Sequence, residues 1–264
     1  MGGGGVKTWC GTVTGALQGT SYTKMPMRTD ARLPAQELMD DPACGEHELR
    51  QALRDLARIN RSFGAHAFVR AYLDRALPVW RAHRAHATAP LRVLDVATGG
   101  GDVPAATARW AARRGVDVRV VAVDRHPTIV RLAREATARH PDISVVLADA
   151  RALPFAAGSF DVGVCTLALH HMSDDDSAIL LRELHRLARI GFLAVDLVRG
   201  RAGHTAVWLM TRLSRSALIR HDGPLSVRRA RSVGEYRQLV QASGVPGLRV
   251  STLPLFRVSL TRLE

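Results

Sequence analysis

An acidic residue and a run of glycines between residues 95 and 101 are the first features whose chemistry could bind a small molecule. Asp95 ends a short apolar run, and Gly99 to Gly101 follow it. A glycine-rich turn between a strand and a helix brings a ligand close to the backbone and to the helix N-terminus, although an ordinary tight turn would look similar. A dinucleotide-binding loop would need glycine where Pro104 stands, and the Asp95 carboxylate would repel a pyrophosphate. The loop therefore favours a ligand with an ammonium group over NAD.

A second acidic residue, Asp124, ends the next apolar run along the chain. A carboxylate can accept hydrogen bonds from both hydroxyls of a ribose. The alternative is that Asp124 is an acid in a surface turn. Its position at the end of a predicted strand favours the binding role over this alternative. Asp124 is therefore a candidate for binding the ribose of a nucleoside ligand.

The elements that would position these acids alternate between strands and helices from residue 91 onward. Apolar runs rich in Val, Ile and Leu predict strands at 91–96, 118–123, 143–147, 160–165 and 191–197. The segments between them predict helices at 104–114, 128–140 and 180–189. This alternation is typical of βαβ units in a mostly parallel sheet. Ligands of such sheets bind at the carboxyl ends of the strands, where both acids would lie.

The segments before this core predict two further parts. Apolar residues recur at helical spacing in 35–62 and 64–87, which predicts an N-terminal helical cap within residues 28–88. A binding domain is expected to follow at 89–264. Residues 1–27, which are rich in glycine, are expected to be a flexible or non-native extension.

The segments after the core predict a cover for the site and the edge of the sheet. Residues 203–230 predict a substrate-covering segment, in which an apolar helix at 203–219 leads into a basic, polar loop. Ser232 and Glu235 form a possible capping box for a helix that runs to about Ala242. The final residues, 248–253 and 255–262, predict a hairpin at the edge of the sheet.

Five motifs, in order along the chain, carry a family resemblance. They read VLDVATGGG at 93–101, VVAVDRHPTIVRLAR at 120–134, VVLADARALPF at 145–155, FDVGVCTLALHHMSDDD at 160–176 and AVDLVR at 194–199. Together they resemble class I S-adenosylmethionine-dependent methyltransferases, and most of all the branch with ubiquinone/menaquinone-type and polyketide-tailoring members. The resemblance implies an α/β fold, Rossmann-like and doubly wound, with a seven-stranded mostly parallel sheet and a C-terminal antiparallel hairpin. It also implies S-adenosyl-L-methionine as the cofactor and S-adenosyl-L-homocysteine as its product.

The resemblance further implies which residues bind the cofactor. The first motif of the family is usually acid-x-Gly-x-Gly-x-Gly, and Ala97 replaces the first glycine here. On the nucleoside side, Asp124 would hold the ribose with Arg125 flanking the adenine, and Asp149 would accept from the adenine amino group with Ala150 beside it. The remaining implied contacts lie towards the methionine end and are Asp95, Ala97, Thr98, Gly99, Gly101, Thr166 and Leu167.

Three histidines are candidates for a general base, because a histidine can take a phenolic proton near neutral pH. His170 and His171 follow the fourth strand, and at most one is expected to face the substrate because adjacent side chains rarely face one site. The alternative is a packed or solvated pair. His221 precedes Asp222, a carboxylate that could orient its imidazole, and the alternative there is a turn formed by Asp-Gly-Pro.

No metal is expected from the sequence. The acids at 174–176 are interpreted as the start of a helix, where carboxylates suit the positive end of the helix dipole. The chain also lacks a G-x-S-x-G or Cys/His nucleophile signature. Direct displacement of a methyl group needs no covalent intermediate, so this is consistent with methyl transfer.

The composition bounds the remaining possibilities. The net charge is +13, but Lys7 and Lys24 are the only lysines. This skew towards arginine suggests a GC-rich coding sequence at least as much as a surface for a polyanion. Three cysteines far apart favour a reducing compartment, hence a cytoplasmic location. No apolar window is long enough for a membrane span.

The sequence thus predicts an enzyme that methylates a hydrophobic small molecule, as a monomer or homodimer. O-methylation of a phenolic, quinone or polyketide-type hydroxyl is favoured over C-methylation. A methyltransferase for RNA or another polyanion is the alternative, although nucleic acid is an unlikely partner. It would use the arginines at 212, 215, 220, 228, 229, 231 and 237. A non-catalytic cofactor-binding protein is the third hypothesis.

Overall fold

The computed structural model describes residues 31–41, 43–62, 64–83 and 89–264. The predicted extension at 1–27 lies outside these residues. Among the helices so described, none combines the length and apolar character needed to cross a membrane.

A seven-stranded sheet forms the centre of the described chain, in the order β3-β2-β1-β4-β5-β7-β6. Its strands are β1 (Leu91–Val96), β2 (Val118–Asp124), β3 (Ile143–Leu147), β4 (Phe160–Thr166), β5 (Ala188–Leu197), β6 (Arg249–Leu253) and β7 (Arg257–Leu263). Strand β7 runs antiparallel to both of its neighbours, β5 and β6, and the pairs among the first five strands are parallel. The mostly parallel, doubly wound sheet and its C-terminal antiparallel hairpin are therefore confirmed.

Eight α-helices surround the sheet in the described chain. They are α1 (Glu46–Ser62), α2 (Ala65–His83), α3 (Asp102–Arg114), α4 (Pro127–Thr137), α5 (Asp174–Leu187), α6 (Arg201–Thr211), α7 (Ala217–Arg229) and α8 (Val233–Ser243). Strands β4 and β5 are buried along nearly their whole length, because helices cover both faces of a parallel sheet. One apolar cluster joins the sheet to α5 and α8, a second joins it to α2 and α3, and a smaller third joins it to α4.

The two N-terminal helices have different positions. Tyr72 and Leu73 of α2 lie in the core against the sheet, and the Tyr72 hydroxyl donates to the Arg262 carbonyl at 2.9 Å. Leu53 of α1 lies instead over Gly99 and Gly100 of the glycine loop. Helix α2 is thus part of the layer on the sheet, and only α1 covers the site as a cap would.

The predicted helix at 35–62 was too long. Its first part forms only a one-turn 3-10 helix, Leu38–Asp40, and α1 begins at Glu46. Asp41 is extended, with ψ 121°, and it precedes a proline in the sequence. The residue before a proline is kept out of the α region by the proline ring, which explains the late start of α1.

The prediction for 203–230 was wrong in its elements. The apolar helix ends at Thr211, and the expected polar loop is a second helix, α7, with Ser216 as its N-cap. His221 to Pro224 lie within α7 and form no turn. Pro224 leaves the Arg220 carbonyl without its usual helical donor, and the Arg212 guanidinium donates to that carbonyl at 3.4 Å.

The sequence predicted the N-termini of two helices, one after β4 and one before β6, and both are confirmed. Ser173 caps α5, whose first turn holds the three acids at 174–176. Ser232 and Glu235 form a complete capping box for α8. The Ser173 hydroxyl and the capping box satisfy N–H groups that have no partner within the helix.

Candidate active site

A cavity of about 700 Å³ opens at the carboxyl ends of β1, β2 and β4. Helices α1, α6 and α7 close it on the opposite side. Nine of the eleven predicted cofactor residues line it, namely Ala97, Thr98, Gly99, Asp124, Arg125, Asp149, Ala150, Thr166 and Leu167. Asp95 and Gly101 are the two that lie behind the wall.

Asp124 ties the glycine loop to the end of β2. Its carboxylate accepts from the backbone N–H of Gly99 and from that of His126, each at 3.0 Å. Burial raises the pKa of Asp124 despite these two donors. Each carboxylate oxygen can accept more than one hydrogen bond, so the residue keeps capacity for ligand hydroxyls.

Asp95 and Gly101 support the loop from beneath. The Asp95 side chain is 1% exposed, and one of its oxygens has no hydrogen-bond partner in the described structure. Burial raises its pKa to about 8. Gly101 has φ +75°, and a Cβ there would lie 2.9 Å from Thr137 Cγ2, so a larger residue would displace α4 from the loop.

Two buried side-chain oxygens of the cavity wall have no hydrogen-bond partner among the described residues, Asn60 Oδ1 and Thr98 Oγ1. The Asn60 amide nitrogen donates to Asp102 at 3.1 Å, which fixes the other end of its side chain. A buried oxygen without a donor costs free energy. The donors of an aminoacyl group would satisfy both atoms, so the wall fits the methionine end of S-adenosylmethionine.

Two non-glycine residues at the ends of strands have left-handed backbones. Ala97 after β1 has φ 59°, and Leu167 after β4 has φ 57°. Ala97 therefore adopts a conformation that favours glycine, at the cost of strain. Both residues turn the chain away from the sheet at the cavity wall.

Asp149 lies at the more open end of the cavity. Its carboxylate pairs with the Arg151 guanidinium, with a shortest distance of 2.6 Å. This hydrogen bond holds the pKa of Asp149 below its ordinary value. Arg125 and Ala150 lie in the same part of the wall.

Both His170 and His171 face the cavity, which corrects the expectation that at most one would. Their ring centroids are 4.3 Å apart and the planes are tilted by 38°. A 3-10 turn, Leu169–His171, places both rings on one side of the chain. The expectation holds for an extended chain, in which adjacent side chains point to opposite sides, but it does not hold for this turn.

Each histidine is held through Nδ1 by its own carboxylate. His170 Nδ1 lies 2.6 Å from Asp196 Oδ1, and His171 Nδ1 lies 2.8 Å from Asp40 Oδ2. Burial opposes ionisation of both acids, yet the contacts with the histidines hold the pKa of each below its ordinary value. The bonds direct both Nε2 atoms away from these acids.

Glu37 lies between the two Nε2 atoms. Its oxygens are 3.7 Å from His170 Nε2 and 3.7 Å from His171 Nε2. The side chain is 4% exposed and accepts from the Ser226 hydroxyl at 2.9 Å. Burial raises the pKa of Glu37 to about 7.

His221 does not line the cavity. Its Nδ1 lies 2.8 Å from Asp222 Oδ1, as the sequence suggested. However, Asp222 also accepts from the backbone N–H groups of Leu38 and Met39 at 3.0 Å. The pair therefore joins α7 to the 3-10 turn, and His221 is corrected to a residue outside the site.

Three acids contact the histidine pair and were not predicted from the sequence, and we call the five residues together the histidine cluster. The acids are Glu37, Asp40 and Asp196. Asp196 is inside the last quoted motif, but nothing in the motif marks it as a partner of His170. Glu37 and Asp40 lie in a segment that the apolar spacing assigned to a helix. Asp40 and His171 are 131 positions apart, so only the folded chain brings them together.

The part of the cavity beyond the histidines is apolar. It is lined by side chains of α1, α6 and α7, namely Leu56, Ile59, Val207, Met210 and Ile219. Such a wall suits a hydrophobic ligand, with a few polar groups to orient it.

Comparison with known proteins agrees with this geometry. Residues 93–191 match a family described as a methyltransferase domain. This stretch carries the glycine loop, Asp124, Asp149 and the histidine pair. The chain carries a class I S-adenosylmethionine-dependent methyltransferase domain. S-adenosylmethionine is the cofactor of this class.

The relatives of the methyltransferase domain include enzymes named for quinone biosynthesis. The chain is 36% identical over 104 residues to a demethylmenaquinone methyltransferase of Thermus thermophilus, covering 39% of this chain and 44% of that protein. It is 38% identical over 109 residues to a ubiquinone/menaquinone biosynthesis C-methyltransferase of Geotalea uraniireducens, covering 40% and 44%. The match thus spans less than half the length of both curated relatives.

One solved structure shares the fold of this chain over a larger part of its length than the curated relatives match in sequence. Human N-acetylserotonin methyltransferase in complex with its cofactor has a TM-score of 0.60 and 15% identity, covering 88% of this chain and 60% of that one. At this identity the likeness shows the fold alone. It extends beyond the methyltransferase domain of residues 93–191.

Proposed function

We propose that the chain transfers the methyl group of S-adenosylmethionine to a hydroxyl oxygen of a hydrophobic small molecule, such as a phenol, a quinone or a polyketide. The observation that carries the proposal is one continuous cavity. In it, the predicted cofactor residues and the histidine pair meet beneath an apolar cover. The cofactor, when bound, supplies an activated methyl group and its own leaving group.

The residues of the glycine loop and of β2 would hold the cofactor. Asp124 would accept from the ribose hydroxyls, and Asp149 and Arg125 lie where the adenine would. Thr98 and Asn60 would accept from the aminoacyl end. Helix α1 would serve as a cap that keeps water from the reacting atoms, and the 203–230 segment would cover the acceptor.

The histidine pair would receive the proton of the acceptor hydroxyl. Each Nδ1–H donates to a carboxylate, which leaves Nε2 as the atom that can accept a proton from the cavity. Asp196 and Asp40 would stabilise the resulting imidazolium. The hydroxyl oxygen is then a stronger nucleophile for in-line displacement.

Titration of the full chain with S-adenosylhomocysteine tests the cofactor step. We expect one site per chain with micromolar affinity. Asp124→Ala should weaken binding well beyond tenfold, about 1.4 kcal/mol, because the ribose acceptor is lost and Gly99 loses its partner. Asp142→Ala is the control, since that acid pairs with Arg119 on the surface. Unchanged affinity in Asp124→Ala would refute the ribose assignment.

Turnover with a panel of phenols tests the base. His171→Ala and His170→Ala should lower kcat about a hundredfold, whereas His221→Ala should not change it. Equal losses in all three variants, or none, would contradict the assignment.

C-methylation is the second candidate, because both curated relatives are named for quinone biosynthesis and one is named a C-methyltransferase. The position of the new methyl group in the isolated product separates the two reactions. Cofactor binding without turnover across phenols and quinones would favour a non-catalytic protein.

Several of the arginines proposed for a polyanion have internal partners, among them Arg231 and Arg229. Arg231 is 1% exposed and donates to the carbonyls of Leu169 and Ser173 and to Asp174. Arg229 lies against Asp40 and the carbonyl of His170. The structure thus gives RNA less support than a small molecule. The scarcity of cysteines supports our further proposal of a cytoplasmic location.

A further inference from the structure

The histidine cluster has the composition of a three-ligand metal site. His170 Nε2, His171 Nε2 and a Glu37 oxygen all lie within 4.8 Å of one another. Two imidazoles and one carboxylate are a ligand set that catalytic zinc sites use, with a fourth position left open. At metal–ligand distances of about 2.0–2.2 Å, tetrahedral ligand atoms lie roughly 3.4 Å apart. Glu37 Oε1 lies 3.7 Å from His170 Nε2, and Glu37 Oε2 lies 3.7 Å from His171 Nε2. Binding of one ion would therefore draw the ligand atoms together from separations of up to 4.8 Å.

The residues behind the histidines match the second requirement of such sites. Histidines that bind a metal nearly always donate their other ring N–H to a carboxylate, a carbonyl or water. Asp196 and Asp40 take these positions on Nδ1 of His170 and His171. The same bonds leave a lone pair on each Nε2, the form in which histidine binds a metal.

The atoms that face one another here, two Nε2 nitrogens and the Glu37 oxygens, can all act as metal ligands. With Nδ1 as the donor, each Nε2 faces a Glu37 oxygen, and neither 3.7 Å separation is a hydrogen bond. Three further carboxylates lie around these ligand atoms, those of Asp40, Asp196 and Asp222. Arg229, at 3.7 Å from Asp40 and 3.9 Å from Glu37, offsets part of this negative charge.

The cluster is reachable from the cavity. Glu37, His170 and His171 all contribute to its wall, close to Met172 and Ser226. An ion there would have its open position directed to the half of the cavity proposed for the acceptor. An acceptor oxygen, from a hydroxyl or a ketone, is the class of ligand that would complete the coordination.

We propose that His170, His171 and Glu37 bind one first-row divalent metal ion, such as Zn²⁺, with Asp196 and Asp40 orienting the two imidazoles. The ion would occupy both Nε2 atoms. When it is bound, these histidines serve the acceptor through the ion and not as proton acceptors. Binding of the ion does not depend on the proposed function, since it needs neither cofactor nor acceptor.

Calorimetric titration of the tag-free, metal-stripped full chain with Zn²⁺, without cofactor, tests the proposal. We expect one ion per chain with a Kd in the micromolar range or below. His171→Gln and Glu37→Gln should each weaken binding at least tenfold. Gln at 37 keeps an oxygen for Ser226, so the fold should tolerate it. His221→Gln is the matched control, because His221 also pairs with a carboxylate but lies outside the cavity, and it should bind as the parent does.

A second measurement reads the ligand set directly. Co²⁺ bound in place of Zn²⁺ should give the intense visible bands of a four-coordinate site, and Asp40→Asn should shift them and weaken binding about 10- to 100-fold. No stoichiometric binding by the parent overturns the proposal. Equal affinities in His171→Gln, Glu37→Gln and His221→Gln overturn it as well. Metal binding with no methyl transfer would refute the proposed function alone.

Discussion

Two residues at the carboxyl edge of the sheet have strained backbones, which lower the stability of the fold but shape the wall of the site. Ala97 and Leu167 have left-handed backbones without being glycine, which costs about 1–2 kcal/mol per residue. Both lie at the cavity wall. Strain of this kind is common at functional sites, and the other two such residues in the described chain, Leu255 and Phe256, lie in the turn between β6 and β7.

Replacement of Ala97 by glycine should release part of this strain. We expect the free energy of unfolding to rise by about 0.5–1 kcal/mol, because the steric gain exceeds the entropy that glycine adds to the unfolded chain. Urea unfolding of Ala97→Gly measures it. Ala168→Gly is the control, since Ala168 also lines the cavity but has φ −123°. That variant should lose stability, and a loss in both would mean that the Ala97 methyl group stabilises more than its backbone costs.

The sequence identified residues best where a role follows from local position. Asp124 and Asp149 end or follow strands, and both line the cavity as the motifs implied. Glu37 and Asp40 could not be found in this way, because their role depends on contacts with a turn more than 100 positions away. No local pattern encodes such a contact.

At the scale of elements, the cover of the site shows how tertiary packing overrides turn signals. Gly223 and Pro224 are typical of a turn, yet both lie inside α7. A Cβ at Gly223 would lie 2.6 Å from Thr211 Cγ2 and 3.4 Å from Val207 Cγ1. The glycine is therefore required by the close approach of α6 and α7, which the sequence alone does not reveal.

Gly223→Ala should separate α6 from α7 and reshape the apolar half of the cavity. Although alanine favours a helix by about 1 kcal/mol, we expect net destabilisation of about 1–3 kcal/mol from overpacking. The acceptor KM should rise while S-adenosylhomocysteine affinity stays unchanged. Gly234→Ala is the control, because its Cβ would meet only Ser232 Oγ, at 3.8 Å. Stability equal to that of this control would show that the two helices tolerate the methyl group.

At the scale of the whole molecule, the central sheet and the two N-terminal helices were predicted, but the segment before α1 was not. Alternating apolar runs and helices encode βαβ units locally, so the strand predictions from 91 to 197 needed no tertiary information. The segment at 31–41 forms only one 3-10 turn and is placed by long-range bonds, such as that from Leu33 N–H to the Arg228 carbonyl at 3.2 Å.

The net charge likewise says little about the interior, where buried carboxylates set the dependence of stability on pH. Burial raises the pKa of Asp95 to about 8, and the charges of Asp102 and Asp124 act in the same direction. The ordinary value is about 3.9. Between these values the folded chain keeps a proton on Asp95 that the unfolded chain has lost. The stability from this group is thus fully present below pH ~4 and is lost as the pH rises through about 8.

Asp95→Asn removes this titration, so its stability relative to the parent chain should rise steadily from pH 5 to about 8 and then level off. Urea unfolding at intervals of one pH unit measures the difference, with Asp142→Asn as an exposed control whose difference should vary little. A flat difference for Asp95→Asn would mean that Asp95 is ionised in the fold throughout this range. Saturating S-adenosylhomocysteine should reduce the slope, because its ammonium near the glycine loop would favour the ionised carboxylate and lower the pKa of Asp95.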